Sequence, residues 1–154
     1  MLRERTANLL KMVAYAAGPG RFYGPAYEAL ADQVSVEGAP FLEVGCGPGG
    51  FVRAVAARQS AGICVGIDRN PSAVTKARSL TSTDSHATFE VMDGEKMAFD
   101  DQMFRCVVGL QSMFHWTDRL AVVREIHRVL MPGGVLLSIQ ADPNGEIPPT
   151  WIQR

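Results

Sequence analysis

A glycine-rich stretch between two apolar segments constrains this chain more than any other feature. Residues Phe41–Val44 have the apolar character of a short buried strand, and helical spacing of apolar residues resumes at Phe51. Four of the six residues from 45 to 50 are glycine, which takes positive φ easily and lets a backbone approach a ligand closely. A helix that begins just after such a turn offers free N–H groups to an electronegative ligand group. The stretch therefore predicts a cradle for a nucleotide-type cofactor.

Two patterns overlap in this stretch, and they predict different cofactors. Gly45, Gly47 and Gly50 have the G-x-G-x-x-G spacing of dinucleotide-binding loops. The second pattern is an acidic residue followed by alternate glycines, and Glu43 with Gly45, Gly47 and Gly49 meets it. We expect a carboxylate at the strand end to repel a pyrophosphate and to suit a ligand with an ammonium and a sulfonium. A tight turn that binds no ligand is the remaining interpretation, although plain connections rarely need so many glycines.

The second pattern resembles motif I of the class I S-adenosylmethionine-dependent methyltransferases. The resemblance extends over about residues 41–140 and implies a Rossmann-like methyltransferase fold with a strand order of about 3-2-1-4-5. It also implies S-adenosyl-L-methionine as the cofactor and methyl transfer by in-line displacement as the reaction. The residues of the motif that it assigns to cofactor binding are Glu43, Gly45, Cys46, Gly47 and Gly49.

Strand-like runs alternate with helical spacing along the chain, which predicts one α/β domain over residues 1–154 with a doubly wound, mainly parallel sheet. Two N-terminal helices are expected within residues 1–35, over 4–17 and 25–33. The core of residues 41–140 contains five predicted strands, at 41–44, 62–67, 88–92, 103–110 and 135–140. Helices are predicted between them at 51–59, 71–80 and 119–130, the last stopped by Pro132 and the glycines after it.

Ligands bind such sheets at the carboxyl ends of the strands, where acidic residues stand in this sequence. Asp68 ends the second strand and can accept hydrogen bonds from both ribose hydroxyls, in a methyltransferase or an NAD enzyme alike. A simple turn residue is the alternative for Asp68. The resemblance assigns Asp93, at the end of the third strand, to the adenine amino group, and Gly94 to the backbone beside it. Met92 and Arg69-Asn70 are expected to sandwich the purine.

The fourth strand leads into Gln111, which the resemblance places beside the methionine portion of the cofactor or in the methyl channel. His115 is the only histidine at a predicted strand end, and an ordinary pKa of about 6.5 suits a general base at neutral pH. A helix cap or a substrate-shaping residue without a proton role is the alternative for His115. Trp116 is expected to wall the acceptor pocket or to anchor the sheet edge.

Composition limits which binding partners and which cellular compartment are expected for this chain. The net charge of −1 gives the chain no excess of positive charge that would attract nucleic acid or an anionic membrane. The sequence motifs of nucleic-acid methylases are also missing. A small-molecule acceptor is therefore expected. Three cysteines without metal-ligand spacing predict buried thiols in a reducing compartment and no metal site. No apolar run approaches the length of a membrane span. We expect a cytoplasmic protein.

The C-terminal residues 142–154 contain three prolines and are predicted to be irregular, so strands 6 and 7 of the family fold are expected to be absent. Strand 5 would then be an open edge, which we expect the tail or a second copy of the chain, as a homodimer, to cover. The short C-terminal part leaves two alternatives to an active methyltransferase. One is a cofactor-binding module that is inactive alone or acts as a partner subunit. The other is an NAD-dependent oxidoreductase.

Overall fold

The computed structural model describes residues 23–34, 38–59, 62–139 and 150–153. The predicted helix over 4–17 lies outside these residues. The helices are α1 (Tyr23–Val34), α2 (Gly50–Ala56), α3 (Pro71–Ser79), a 3-10 helix (Met113–His115) and α4 (Arg119–Val129). The strands are β1 (Phe41–Val44), β2 (Cys64–Asp68), β3 (Ala87–Val91), β4 (Phe104–Leu110), β5 (Leu130–Ile139) and β6 (Thr150–Gln153).

The strands form one sheet with the order β3-β2-β1-β4-β5-β6. The first five strands pair in parallel, which confirms the predicted doubly wound α/β fold and the order 3-2-1-4-5. All four residues of β1 are buried, as expected for a central strand that is covered by helices on both faces. The carboxyl ends of β1 and β4 therefore lie next to each other at the switch point of the sheet.

Two apolar clusters hold the helices against the two faces of the sheet. Successive residues of β1 point to opposite faces, so Phe41 packs with α1, α2 and α3, while Leu42 packs with α4. Phe41 and Phe51 meet edge to face with ring centroids 5.8 Å apart, which joins β1 to the start of α2. Among the described residues, no helix has both the length and the apolar character needed to cross a bilayer.

The C-terminal end of the sheet corrects two predictions. Residues Thr150–Gln153 are not irregular but form β6, which pairs antiparallel with β5. The prolines at 148 and 149 precede β6, so every residue of β6 keeps the N–H group that a ladder needs. The prediction that strand 6 is absent is therefore wrong, and the tail covers the edge as one of the two expected arrangements. Since β5 pairs with β4 on one side and β6 on the other, the predicted homodimer has no free β5 edge to use.

The start of β5 also differs from the prediction. The helix ends at Val129 as the Pro-Gly-Gly sequence suggests, but β5 already begins at Leu130 and runs through that sequence. Phe104 pairs with Leu130 and Cys106 with Val135, so the register advances two residues on β4 and five on β5. Gly133, with φ 72°, lies inside this bulge. The extra residues are accommodated outside the ladder, which sequence periodicity does not reveal.

Candidate cofactor and acceptor site

A cavity of about 360 Å³ lies at the carboxyl ends of β1, β2, β3 and β4. A volume of this size suits a small organic ligand. It brings together nine of the twelve site residues predicted from sequence. These are Gly45, Gly47, Asp68, Arg69, Met92, Asp93, Gly94, Gln111 and His115. Glu43, Cys46 and Gly49 are not part of its wall.

The three alternate glycines of the loop all have positive φ, but for different reasons. A Cβ on Gly45 would lie 2.4 Å from the Ser112 Cβ, and one on Gly49 would lie 2.3 Å from the Phe89 ring. These two glycines therefore let the loop pack against its own protein. A Cβ on Gly47, where φ is 52°, would meet nothing within 4 Å, although Gly47 lines the cavity. Gly47 is thus the position of the loop that faces open space.

The glycine loop is tied to the end of β2. The backbone N–H groups of Gly45 and Cys46 both donate to the Ile67 carbonyl oxygen, at 2.8 and 2.9 Å. The Gly47 N–H donates to Asp68 Oδ2 at 2.9 Å, and the Asn70 N–H donates to Asp68 Oδ1 at 2.9 Å. Each oxygen of a carboxylate has two lone-pair sites, so Asp68 can still accept one bond through each oxygen. The residue is therefore both a turn residue and a potential ligand for two hydroxyl groups.

Glu43 lies behind the loop. Its side chain is 3% exposed, and it points toward the start of α2, where the Val52 backbone N–H contacts it. Burial raises the pKa of the Glu43 carboxyl well above its usual range, the Val52 N–H lowers it, and the nearby Asp68 charge raises it further. Because the Glu43 carboxyl does not line the cavity, it is not placed to discriminate between a pyrophosphate and a sulfonium there. The electrostatic reason given for Glu43 from sequence does not apply.

Other residues supply the charge that was expected from Glu43. Three carboxylates, those of Asp68, Asp93 and Glu95, line the cavity, against one guanidinium, that of Arg69. An acidic wall favours a cationic ligand and disfavours a polyphosphate. The predicted discrimination therefore has a physical basis in the ends of β2 and β3 and not in β1.

Cys46 contributes to the loop through its backbone. Its side chain is buried against β2, since a Cβ on Gly66 would lie 2.9 Å from the Cys46 Sγ. Burial raises the pKa of the Cys46 thiol far above its usual value, so the group stays a neutral, unreactive filler. Gly49 is the N-cap of α2, where no side-chain cap is present. Cys46 and Gly49 therefore shape the loop without lining the cavity.

The loop after β3 brings Met92, Asp93 and Gly94 to the cavity wall. Asp93 Oδ1 accepts a hydrogen bond from the Glu95 N–H at 2.9 Å, which is the turn geometry expected for Asp-Gly. Arg69 and Asn70 line the cavity as well, after β2. The predicted purine partners thus face a common space. Glu95, which no sequence pattern marks, lies in the same wall.

The end of β4 presents buried polar atoms to the cavity. Gln111 has the left-handed φ of 53°, and its N–H donates to the Ile139 carbonyl oxygen at 2.8 Å. A non-glycine residue in this region is strained, and such strain is concentrated at functional sites. Within the described residues, the buried Gln111 Nε2 and Ser112 Oγ have no hydrogen-bond partner. Ser112 was missed from sequence, because its burial depends on contact with Gly45, which is distant in the chain.

His115 and Trp116 form the wall next to this polar group. His115 ends the 3-10 helix, is exposed, and donates its backbone N–H to the Ser112 carbonyl oxygen at 2.9 Å. The Trp116 ring packs against β4, where a Cβ on Gly109 would lie 3.4 Å from it. Trp116 therefore lines the cavity and packs against an interior strand of the sheet rather than its edge.

Comparison with known proteins agrees with this geometry. The family model of a methyltransferase domain matches residues 42–138. A 2-methyl-6-phytyl-1,4-hydroquinone methyltransferase of Synechocystis sp. is 35% identical over 100 residues, covering 65% of this chain and 31% of that protein. The tocopherol O-methyltransferase of Arabidopsis thaliana is 34% identical over 116 residues, covering 73% of this chain and 30% of that protein. The chain thus spans about a third of the length of these curated relatives.

Solved structures show the same fold. A protein of Pyrococcus horikoshii matches with a TM-score of 0.70 at 27% identity, over 84% of this chain and 63% of the other. The protein bound to the Trm112 methyltransferase activator in a complex from Haloferax volcanii matches with a TM-score of 0.70 at 30% identity, over 77% of this chain and 52% of the other. With the family match extending over more than half of its length, this chain belongs to the methyltransferase-domain family and has the class I fold.

Proposed function

We propose that this chain binds S-adenosyl-L-methionine and transfers its methyl group to a small, lipophilic acceptor. The observation that carries the proposal is the acidic cavity at the carboxyl ends of β1 to β4, which is lined by nine of the twelve site residues predicted from sequence. The cofactor carries an ammonium and a sulfonium, and the carboxylates of the wall suit both charges.

The unpartnered atoms of the site fit the same cofactor. Gln111 Nε2 and Ser112 Oγ are buried without hydrogen-bond partners among the described residues, and a polar ligand group would satisfy them. Gly47 leaves open space at the cavity wall, so that a ligand can approach its backbone. Both features support a polar ligand group beside the glycine loop.

Each residue has a role in this proposal. Asp68 accepts the ribose hydroxyls through its two remaining lone-pair sites, and Met92, Asp93, Gly94 and Arg69-Asn70 surround the adenine. Gln111 holds the methionine portion. When bound, the cofactor supplies an electrophilic methyl group on its sulfonium, so the protein mainly aligns the acceptor and excludes water.

His115 is the residue that we propose for proton transfer. It lines the cavity together with Ser112 and Trp116, and it is exposed, so that an acceptor can reach it. In this role an imidazole nitrogen of His115 would accept the proton of an acceptor hydroxyl, which would leave the hydroxyl oxygen as the nucleophile. His115→Gln should lower kcat by about 10²- to 10⁴-fold for a hydroxyl acceptor while leaving cofactor affinity unchanged. An unaltered kcat would assign His115 to shaping the pocket.

The acceptor class is inferred from two observations. Matched relatives are named for hydroquinone, tocopherol, sterol and fatty-acid substrates, all of which are lipophilic. Phe114 and Leu120, which flank the His115-Trp116 wall in sequence, are 54% and 57% exposed. Apolar side chains at this position suit an acceptor with a hydrocarbon body. The three cysteines are free, which supports the proposal of a reducing, cytoplasmic location.

Calorimetric titration with S-adenosylmethionine, S-adenosylhomocysteine and NADH in parallel tests the cofactor. Micromolar binding of both adenosyl-sulfur ligands with no NADH signal is expected. Binding of NADH alone would favour the oxidoreductase and refute the proposal.

A cofactor-binding subunit that needs a partner is the second candidate. It is favoured by the solved relative that forms a complex with a methyltransferase activator. Binding of the cofactor without turnover of hydroquinone, sterol or fatty-acid acceptors would select this candidate.

A further inference from the structure

One side chain joins the loop after β3 to the segment before α4. Glu95 lies in the cavity wall, and its Oε1 accepts a hydrogen bond from the Asp118 backbone N–H at 2.8 Å. Asp118 is the N-cap of α4, and its Oδ1 accepts from the Ala121 N–H at 3.0 Å. An N-cap residue has no helical partner for its own N–H. Glu95 supplies that partner from 23 residues away in the chain.

The segment held in this way carries the acceptor side of the site. In sequence, His115 and Trp116 lie between Ser112, whose carbonyl oxygen accepts from the His115 N–H, and Asp118, whose N–H donates to Glu95. A second contact comes from the loop after β2, where Arg69 Nη1 donates to Thr117 Oγ1 at 3.3 Å. Both loops that we assign to the cofactor therefore contact the segment that faces the acceptor.

Glu95 projects from a loop that is itself firmly held. Met97, two residues further on, donates its N–H to Glu125 Oε2 at 2.7 Å and accepts from Arg128 Nη2 at 2.9 Å. Both partners belong to α4, and the Arg128 bond lowers the pKa of the Glu125 carboxyl, which keeps it ionised. The loop that carries Glu95 is thus held to α4 at Met97. The bond from Glu95 to Asp118 therefore restrains residues 113–118 rather than the loop after β3.

We propose that Glu95 is a positioning residue that couples the cofactor side of the cavity to the acceptor side through the Asp118 N–H. A ligand that orders the loop after β3 then also orders His115 and Trp116. The coupling to a methyl acceptor rests on the proposed function, whereas the contact itself does not. Glu95 acts on the acceptor only through the segment that it holds.

Hydrogen exchange of residues 113–118 tests the contact in the protein without ligand. Glu95→Ala removes the acceptor atom, and Glu95→Gln retains an oxygen at the same place. A hydrogen bond of this kind changes a local equilibrium by about two- to tenfold, so we expect exchange in Glu95→Ala to accelerate by that factor. Glu95→Gln should restore most of the protection. Lys96→Ala, at the exposed neighbouring position, is the matched control and should behave as the wild type.

The same measurement with saturating S-adenosylhomocysteine tests the coupling. In the wild type we expect protection to rise together in residues 93–97 and 113–118, and in Glu95→Ala only in 93–97. Equal protection of 113–118 in both proteins, with or without ligand, would overturn the proposal. Coupled protection of residues 93–97 and 113–118 that stays intact in Glu95→Ala would also overturn it. If the wild type binds no ligand, the proposed function fails, and the ligand-free comparison still decides the role of Glu95.

Discussion

Replacing Gly47 with alanine should weaken cofactor binding while leaving the fold intact. The glycine has φ 52°, and an added Cβ would meet no protein atom within 4 Å. The cost to folding is then only that of holding an L-residue in the left-handed region, about 1–2 kcal/mol. For a chain of this size, that corresponds to a fall in Tm of about 2–8 °C.

The cost to binding has a different origin. The methyl group of Gly47→Ala would project into space at the wall of the cavity, where the proposed ligand approaches the backbone. Forcing a methyl group into a packed contact costs about 1–3 kcal/mol, which is about a 5- to 150-fold increase in Kd. Gly45 and Gly49 would not serve for this test, because a Cβ at either position collides with the protein itself.

Gly38 provides the matched control. It has φ 68°, and a Cβ there also meets nothing within 4 Å, but it is not part of the cavity wall. Gly38→Ala and Gly47→Ala should lose similar Tm, and only Gly47→Ala should lose affinity for S-adenosylhomocysteine in calorimetric titration. Unchanged affinity in Gly47→Ala would refute the assignment of Gly47 to the ligand surface. Equal losses of affinity in both variants would attribute the effect to stability.

Two further predictions concern buried and networked charges. Glu43→Gln should flatten the pH dependence of the unfolding free energy: burial raises the folded-state pKa of Glu43, so wild-type stability falls as pH rises above the ordinary carboxyl pKa of about 4.3. Urea unfolding at pH 5 and pH 8 measures this, and the same change in both proteins would contradict it. Arg128→Ala should lower the free energy of unfolding by about 2–4 kcal/mol, because it removes hydrogen bonds to Glu125 and to two backbone carbonyls. Arg124→Ala, on the exposed face of α4, should lower it by less than about 0.5 kcal/mol. An equal effect of the two arginine variants in thermal unfolding would show that the network adds no stability.

Most helices and strands, and two residues of the cavity, could be predicted from local features of the sequence. β1 was predicted at its observed bounds, because an apolar run meets a glycine that needs φ 79°. The start of α3 follows from Asn70, whose side chain accepts from the Ser72 N–H, and from the proline after it. Strand-end positions then placed Asp68 and Asp93 in one cavity, since parallel strands end at the same edge.

Features that depend on tertiary contact were not predictable in this way. The side of β1 to which Glu43 points follows from strand alternation, but its raised pKa follows from burial next to α2, which the sequence alone does not reveal. Ser112 and Glu95 carry no local signal, because their partners are Gly45 and Asp118, far away in the chain. β6 was missed since a strand of four residues after two prolines is recognisable only by its pairing with β5.

The two backbone bonds to Asp68 have a consequence for how selective the site is. With the Gly47 and Asn70 N–H groups on its two oxygens, the carboxylate plane is oriented before any ligand arrives. The conformational entropy of that side chain is lost during folding, so it does not oppose binding. A side chain held in this way also cannot rotate to suit a ligand whose hydroxyl groups are spaced differently. If Asp68 holds the ribose as we propose, a 2′- or 3′-deoxyribose, which lacks one of the two hydroxyl groups, should bind more weakly, because the fixed carboxylate cannot rotate to replace the lost hydrogen bond.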